Sequence, residues 1–145
     1  MILGIDPGLS GAMAVLDDKT VVLLVPFSKT TPHDIVAYLK PLAISTAYLE
    51  AVNAFPHQGV SSVFKFGMNY GMWQGILVAL GIPFQRVYPL KWQTAMSCRT
   101  GGNKNISKAR AQELFPQLKI THAIADALLI AEYGRRQSIN QANDL

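Results

Sequence analysis

Met1-Ile2-Leu3-Gly4-Ile5-Asp6 runs apolar into a single carboxylate, and Pro7-Gly8-Leu9-Ser10-Gly11 turns the chain immediately afterwards. An apolar run of strand length bounded by turn residues reads as a buried β-strand. Working outward, periodicity predicts strands over 1–6, 11–17 and 20–26. Gly8, Gly11 and the Asp17-Asp18 pair punctuate them, which predicts an antiparallel meander. A short helix follows from Pro32 to Pro41, with Thr31 as N-cap and Pro32 at the first helical position. The fourth strand, over 46–50, closes on Glu50 as the first closes on Asp6. A loop with Asn53, Pro56, His57 and Gly59 comes next, then a helix from Val60 or Phe66 to Leu80, stopped by Gly81.

Ile82 to Tyr88 reads as a fifth strand and Lys91 to Ser97 as a short helix. Arg99 to Asn105, with Gly101-Gly102, is expected to be a mobile loop. Ser107 is expected to cap a helix reaching Phe115, which Pro116 ends. The last helix is expected from His122 to Tyr133, with Thr121 as N-cap and Gly134 at its C-terminal side. Three meandering strands, then alternating helix and strand, predict an α/β fold: a mixed five-stranded sheet flanked by helices. The long connection between strands four and five implies a helical crossover between parallel neighbours.

The 145 residues, half of them apolar, suffice for one domain over 1–136, with a polar C-terminal tail over 137–145. The longest apolar runs are too short to span a bilayer, so no membrane partner is expected. Met1 opens straight into a strand with no basic stretch ahead of it, so no signal peptide is expected. Cys98 is the sole cysteine, which excludes an intrachain disulfide and a cysteine metal site. A reducing, cytoplasmic setting fits.

The acidic residues carry the chemistry. Asp6 and Glu50 close neighbouring strands, and Ala125-Asp126-Ala127-Leu128 can bring in a third carboxylate from the last helix. Carboxylates so placed lose solvation and repel one another, and a hard divalent cation offsets both costs. Two cations roughly 3.5–4 Å apart would clamp the attacking water and the leaving oxygen of a displacement at phosphorus. Asp6 is the expected bridge between them. His122 lies four residues before Asp126, on the same helical face, and can ligate or move protons. Taken singly, each of these residues has an ordinary reading as a hairpin corner, a strand end, a helix-turn acid or a capping histidine. A strand-Asp-Gly turn also opens nucleotide-binding folds of the actin and sugar-kinase type. Those need two such domains and a longer chain, so no nucleotide cofactor is expected.

After Glu50 no acid appears until Glu113, while Lys65, Arg86, Lys91, Arg99, Lys104, Lys108 and Arg110 fall between them. Arg86 to Arg110 is a local +6 in a chain of net +4, so the remainder carries −2. Concentrated charge of one sign suits a phosphate-binding face better than a merely solvated one.

At these residues the chain resembles the RuvC-type Holliday-junction resolvases of the RNase H-like superfamily. The residues that match are Ile2-Leu3-Gly4-Ile5-Asp6-Pro7-Gly8, Leu49-Glu50, the helix from Phe66-Gly67-Met68 to Leu80, Lys91-Trp92-Gln93-Thr94, and Ala125-Asp126-Ala127-Leu128-Leu129-Ile130-Ala131. They fall in family order across 1–136, and the short region from Asp17 to Thr46 is similar to the compact resolvases of phages. The resemblance implies an RNase H-like sheet. It also implies a homodimeric endonuclease, dependent on Mg2+ or Mn2+, that resolves four-way DNA junctions by paired nicks. It assigns Asp6, Glu50 and Asp126 to three catalytic, metal-binding positions. The family's fourth position, three residues before the last Asp, is Ala123 here, and His122 one residue earlier is the expected substitute.

Lys91, Lys104, Lys108 and Arg110 are expected to neutralise phosphates. Lys108 and Arg110 are expected in the first turn of a helix, where the macrodipole disfavours cations and a bound phosphate would offset that. Phe55 is a candidate to stack on an unpaired base, and its bland alternative is a loop residue folded into the core. Trp92 reads as core. Gly67, Gly71 and Gly75 recur on one helix face at a cost of about 1 kcal/mol each. Either that face packs on the protein's own sheet or it meets a second subunit or a nucleic-acid backbone. The rival functions are an RNase H-like nuclease on other branched or hybrid substrates and a catalytically silent junction-binding module.

Overall fold

A computed structural model of the chain describes residues 1–51, 53, 57 and 59–143. Its strands are β1 (Ile2–Asp6), β2 (Ala12–Leu16), β3 (Val21–Pro26), β4 (Thr46–Glu50) and β5 (Phe84–Val87). Its helices are α1 (Pro32–Leu39), α2 (Val60–Ala79), α3 (Pro89–Ala95), α4 (Lys104–Leu114) and α5 (His122–Asn143). Sheet order is β3-β2-β1-β4-β5. The first three strands form the expected antiparallel meander, and β4 lies parallel to both β1 and β5. None of the helices described is long and apolar enough to cross a membrane.

β1 is central, and both of its faces are covered, which is why it reads as an unbroken apolar run. Leu3 and Ile5 join Met13, Val15, Leu49 and the α2 residues Trp73 and Leu77 on one side of the sheet. Ile2, Ala12, Ala14 and Tyr48 meet Ala127, Leu128 and Ala131 of α5 on the other. At Gly4 the strand and α5 approach backbone to backbone. A Cβ there would lie 2.5 Å from the Ala127 carbonyl oxygen and 2.7 Å from Ala131 Cα.

Local signals held at several element ends. Thr31 and Asp34 form a reciprocal capping box at the start of α1, with Pro32 in the first turn. Gly81, at φ +66°, follows the end of α2 as expected.

Two expectations are corrected. α5 does not end near Gly134 but runs to Asn143, through most of the expected tail. Gly134 sits against the Tyr48 ring, and buried Glu132 pairs with Arg135 at 2.7 Å and Arg136 at 2.8 Å. Arg135 also donates to the Asp18 carbonyl at 2.7 Å, so tertiary bonds carry the helix past its glycine. α4 begins at Lys104, capped by the Asn103 side chain, so the expected mobile loop is shorter and Ser107 is a buried helical residue rather than a cap. Lys108 and Arg110 consequently fall beyond the first turn, and the dipole argument for them lapses.

The glycine stripe takes one of the two placements open to it. A Cβ at Gly67, Gly71 or Gly75 would meet nothing within 4 Å, so the stripe faces away from the protein's own sheet. Phe64, Met68 and Val78 beside it are 67%, 61% and 69% exposed. That leaves one long apolar face of α2 uncovered among the described residues.

The Gly4 contact gives a direct test. Gly4→Ala should push α5 off β1 and destabilise the fold by about 1–3 kcal/mol, the usual range for overpacking. A lower urea midpoint would register it, and an unchanged midpoint would mean that α5 can retreat freely.

Candidate active site

β1 and β4 are parallel neighbours, so Asp6 and Glu50 emerge at the same edge of the sheet. α5 crosses β1 at Gly4 and carries Asp126 one residue before the contact at Ala127. The three acids thus converge from three elements, each through its own backbone support.

Each carboxylate is held differently. Asp6 Oδ1 accepts from the Gly8 N–H at 3.1 Å within the Pro7–Gly11 turn, which Gly11 N–H to the Gly8 carbonyl closes at 2.9 Å. Gly11 lets the chain pass close to Asp6, since a Cβ there would lie 2.9 Å from the Asp6 carboxyl carbon. Glu50 Oε1 accepts from Trp92 Nε1 at 3.1 Å. Asp126 has the hydroxyl of buried Ser107 against it, and its Oδ1 is buried with no hydrogen-bond partner among the described residues.

Burial is the largest cause pushing all three carboxyls above their ordinary range. For Glu50 the result is a pKa pushed up to about 8, with the Asp6 charge next in importance and the Trp92 N–H pulling the other way. The Asp126 charge raises both Asp6 and Glu50, so the acids feel one another. Lys104 opposes the rise at every one of them. Expected as a phosphate neutraliser in a loop, Lys104 instead opens α4 beside the acids.

A cleft of about 620 Å³ lies in front of Asp6 and Glu50, lined also by the Pro7–Ser10 turn, Ser62, Lys65, Phe66 and Lys104. Asp126 is set back from it. His122 begins α5, exposed, and its charge pulls Asp126 downward from one turn away. Lys91 is exposed on α3 and Lys108 half-buried on α4. The Arg110 guanidinium already has protein partners, the Met96 carbonyl at 2.9 Å and Glu113 at 2.8 Å, and so fastens α4 to the end of α3. Phe55 lies outside the described residues.

Sequence reasoning missed Trp92, Ser107 and Lys65 as parts of this site. Trp92 reads as core and is fully buried, yet its indole N–H is spent on Glu50. A buried tryptophan N–H more often than not finds a partner, which was the available signal, although that of buried Trp73 has none among the described residues.

The donor set suits a hard divalent cation: clustered carboxylates held up in pKa, and an orphaned carboxylate oxygen on Asp126. Among the described residues, no three His, Cys, Asp or Glu side chains stand close enough to cage an ion by themselves. Magnesium keeps several waters and binds through one or two carboxylates plus substrate phosphates, so a preformed cage is not required.

No protein-family model matches the chain, and no curated protein matches it in sequence. Several solved structures share its architecture, among them two RuvC structures. One is a Thermus thermophilus RuvC structure, at 16% identity and TM-score 0.68, covering 96% of each chain. The other is T. thermophilus RuvC in complex with a Holliday junction substrate, at 15% identity and TM-score 0.70, covering 95% of this chain and 94% of that one. The chain has the RuvC-type, RNase H-like fold.

The raised Glu50 pKa fixes a pH dependence. Between its ordinary 4.5 and about 8 the folded protein holds a proton on Glu50 that the unfolded chain has released. Stability of the metal-free protein should therefore fall as pH rises through that window, and Glu50→Gln should flatten the slope. Thermal unfolding in chelator across the window checks this, and equal slopes would mean Glu50 is ionised throughout.

Proposed function

We propose that this chain is a metal-dependent endonuclease that resolves four-way DNA junctions by paired nicks, acting as a homodimer. The observation that carries the reading is the convergence of Asp6, Glu50 and Asp126 beside Lys104 at one edge of a RuvC-type sheet. The T. thermophilus relative in its junction complex supports branched DNA as the substrate class.

Asp6 and Glu50, at the cleft, and Asp126 behind them would hold Mg2+ or Mn2+. Bound divalent cations would supply a Lewis acid for the phosphoryl oxygens and a water acidic enough to attack phosphorus at neutral pH. Trp92 keeps one Glu50 oxygen occupied and so aims the other. Lys104 and Lys65 on the cleft walls would meet phosphate charge, with Lys91 and Lys108 further out. His122, exposed near Asp126, would carry protons to or from the reacting groups. Arg110, already engaged by Met96 and Glu113, contributes chiefly through the placement of α4.

Labelled four-way junction, linear duplex and RNA–DNA hybrid, each with magnesium or chelator, test the reading. Asp6→Asn, Glu50→Gln and Asp126→Asn should each abolish junction cleavage while junction binding survives. His122→Ala should slow cleavage by about 10²–10⁴-fold, the range of general acid–base catalysis. Junction bound but uncut by wild-type protein in magnesium would instead identify a silent binding module. Preferential hybrid cleavage would identify a different nuclease of the same fold.

The uncovered α2 face supports the homodimer, because two opposed nicks need two active sites related by a two-fold axis. Backbones can approach closely along Gly67, Gly71 and Gly75, with Phe64, Met68 and Val78 flanking them. Gly71→Leu should leave the monomer fold intact, since a Cβ there meets nothing within 4 Å and the position is exposed, and weaken self-association. Sedimentation of both proteins checks this. A wild-type monomer at micromolar concentration, alone and on DNA, would defeat it.

A further inference from the structure

Asn69 is the polar member of an otherwise apolar helix stripe. It stands one turn before fully buried Trp73, with Ile76 and Leu77 continuing the same inward face of α2. Its side-chain amide donates to the carbonyl of Pro7, the residue directly after Asp6. Pro7 is buried, and proline has no N–H with which to join the β1–β2 ladder. No other donor reaches that carbonyl among the described residues. Three further bonds fix the turn. Gly8 donates to Asp6, Gly11 donates to the Gly8 carbonyl, and Phe27 N–H donates to the Gly11 carbonyl at 3.0 Å, which ties the far end of the turn to the end of β3. At the near end, where Asp6 leaves the ladder opposite Ala12, the Pro7 carbonyl is tied to α2.

We infer that Asn69 is a positioning residue for the candidate active site, holding the Asp6-Pro7-Gly8 turn against α2 so that the Asp6 carboxylate keeps its place at the cleft. This rests on the reading of Asp6 as a metal ligand. Without the Asn69 bond the Pro7 carbonyl must find water, the turn gains freedom, and the Gly8 N–H loses its fixed relation to Asp6 Oδ1. α2 thereby does two jobs: its inner face sets the catalytic turn while its outer face is the one left uncovered. A partner seated on that outer face would steady the helix on which the turn depends.

The test reads metal binding and the turn itself, besides cleavage. Manganese titration of the DNA-free protein gives ion affinity, and amide exchange at Gly8 reports the turn. Asn69→Leu fills the space without a donor, Asn69→Ala keeps a strong helix former, and Asn69→Gln restores a carboxamide. The Leu and Ala variants should bind manganese about tenfold more weakly, the lower end of the effect of removing an outer-sphere support. Gly8 should exchange faster in both, junction binding should be unchanged, and Asn69→Gln should recover part of the loss. Wild-type ion affinity and Gly8 exchange in both the Leu and the Ala variant would overturn the inference, as would a fall in thermal stability alone. Because these readouts need no cut junction, absence of cleavage by wild-type protein would count against the proposed function and leave the role of Asn69 separately decided.

Discussion

The contact on which the remaining architecture depends is the one between β1 and α5 at Gly4. A strand and a helix normally stand apart by their side chains, and here the helix backbone rests on the strand. That proximity puts Asp126, on the helix, within electrostatic reach of Asp6, at the end of the strand, and of Glu50 on the next strand. Two small residues of α5, Ala127 and Ala131, complete the fit. The same apolar packing that stabilises the fold raises the pKa of each carboxyl it brings together, so stability and charge clustering are coupled by construction.

The acids are supported by groups whose own folding roles look unrelated. Trp92 fills the core and donates to Glu50. Ser107 is buried in α4 and lies against Asp126. Arg110 secures α4 to the end of α3, the helix that carries Trp92. A chain of contacts therefore runs from α4 through α3 to Glu50, and a second from α4 directly to Asp126. The placement of one helix governs two of the three acids.

How much of this the sequence disclosed divides along a physical line. Alternation, turn residues and caps are local, and they gave the five strands, the N-cap at Thr31 and the stop at Gly81. The convergence of Asp6, Glu50 and Asp126 was legible because each closes or opens a recognisable element. What escaped depends on partners distant in sequence. The extension of α5 past Gly134 needs Tyr48 to receive the glycine and Asp18 to receive Arg135. The start of α4 at Lys104 was obscured by two adjacent glycines that suggested a longer loop. The outward aim of the Gly67, Gly71 and Gly75 stripe follows from which face of α2 is apolar enough to bury Trp73, and both faces of that helix are apolar.

The late position of α5 in the chain has a consequence in time. Of the described elements this helix is synthesised after the others, and it supplies both one wall of the core and the third acid. A nascent chain that has already formed β1 and β4 holds Asp6 and Glu50 without Asp126, and without the cover that excludes water from them. The complete acidic cluster comes into being only when α5 docks on β1. Whatever chemistry the three acids support together depends on that docking, and a chain interrupted ahead of α5 would hold two of them alone.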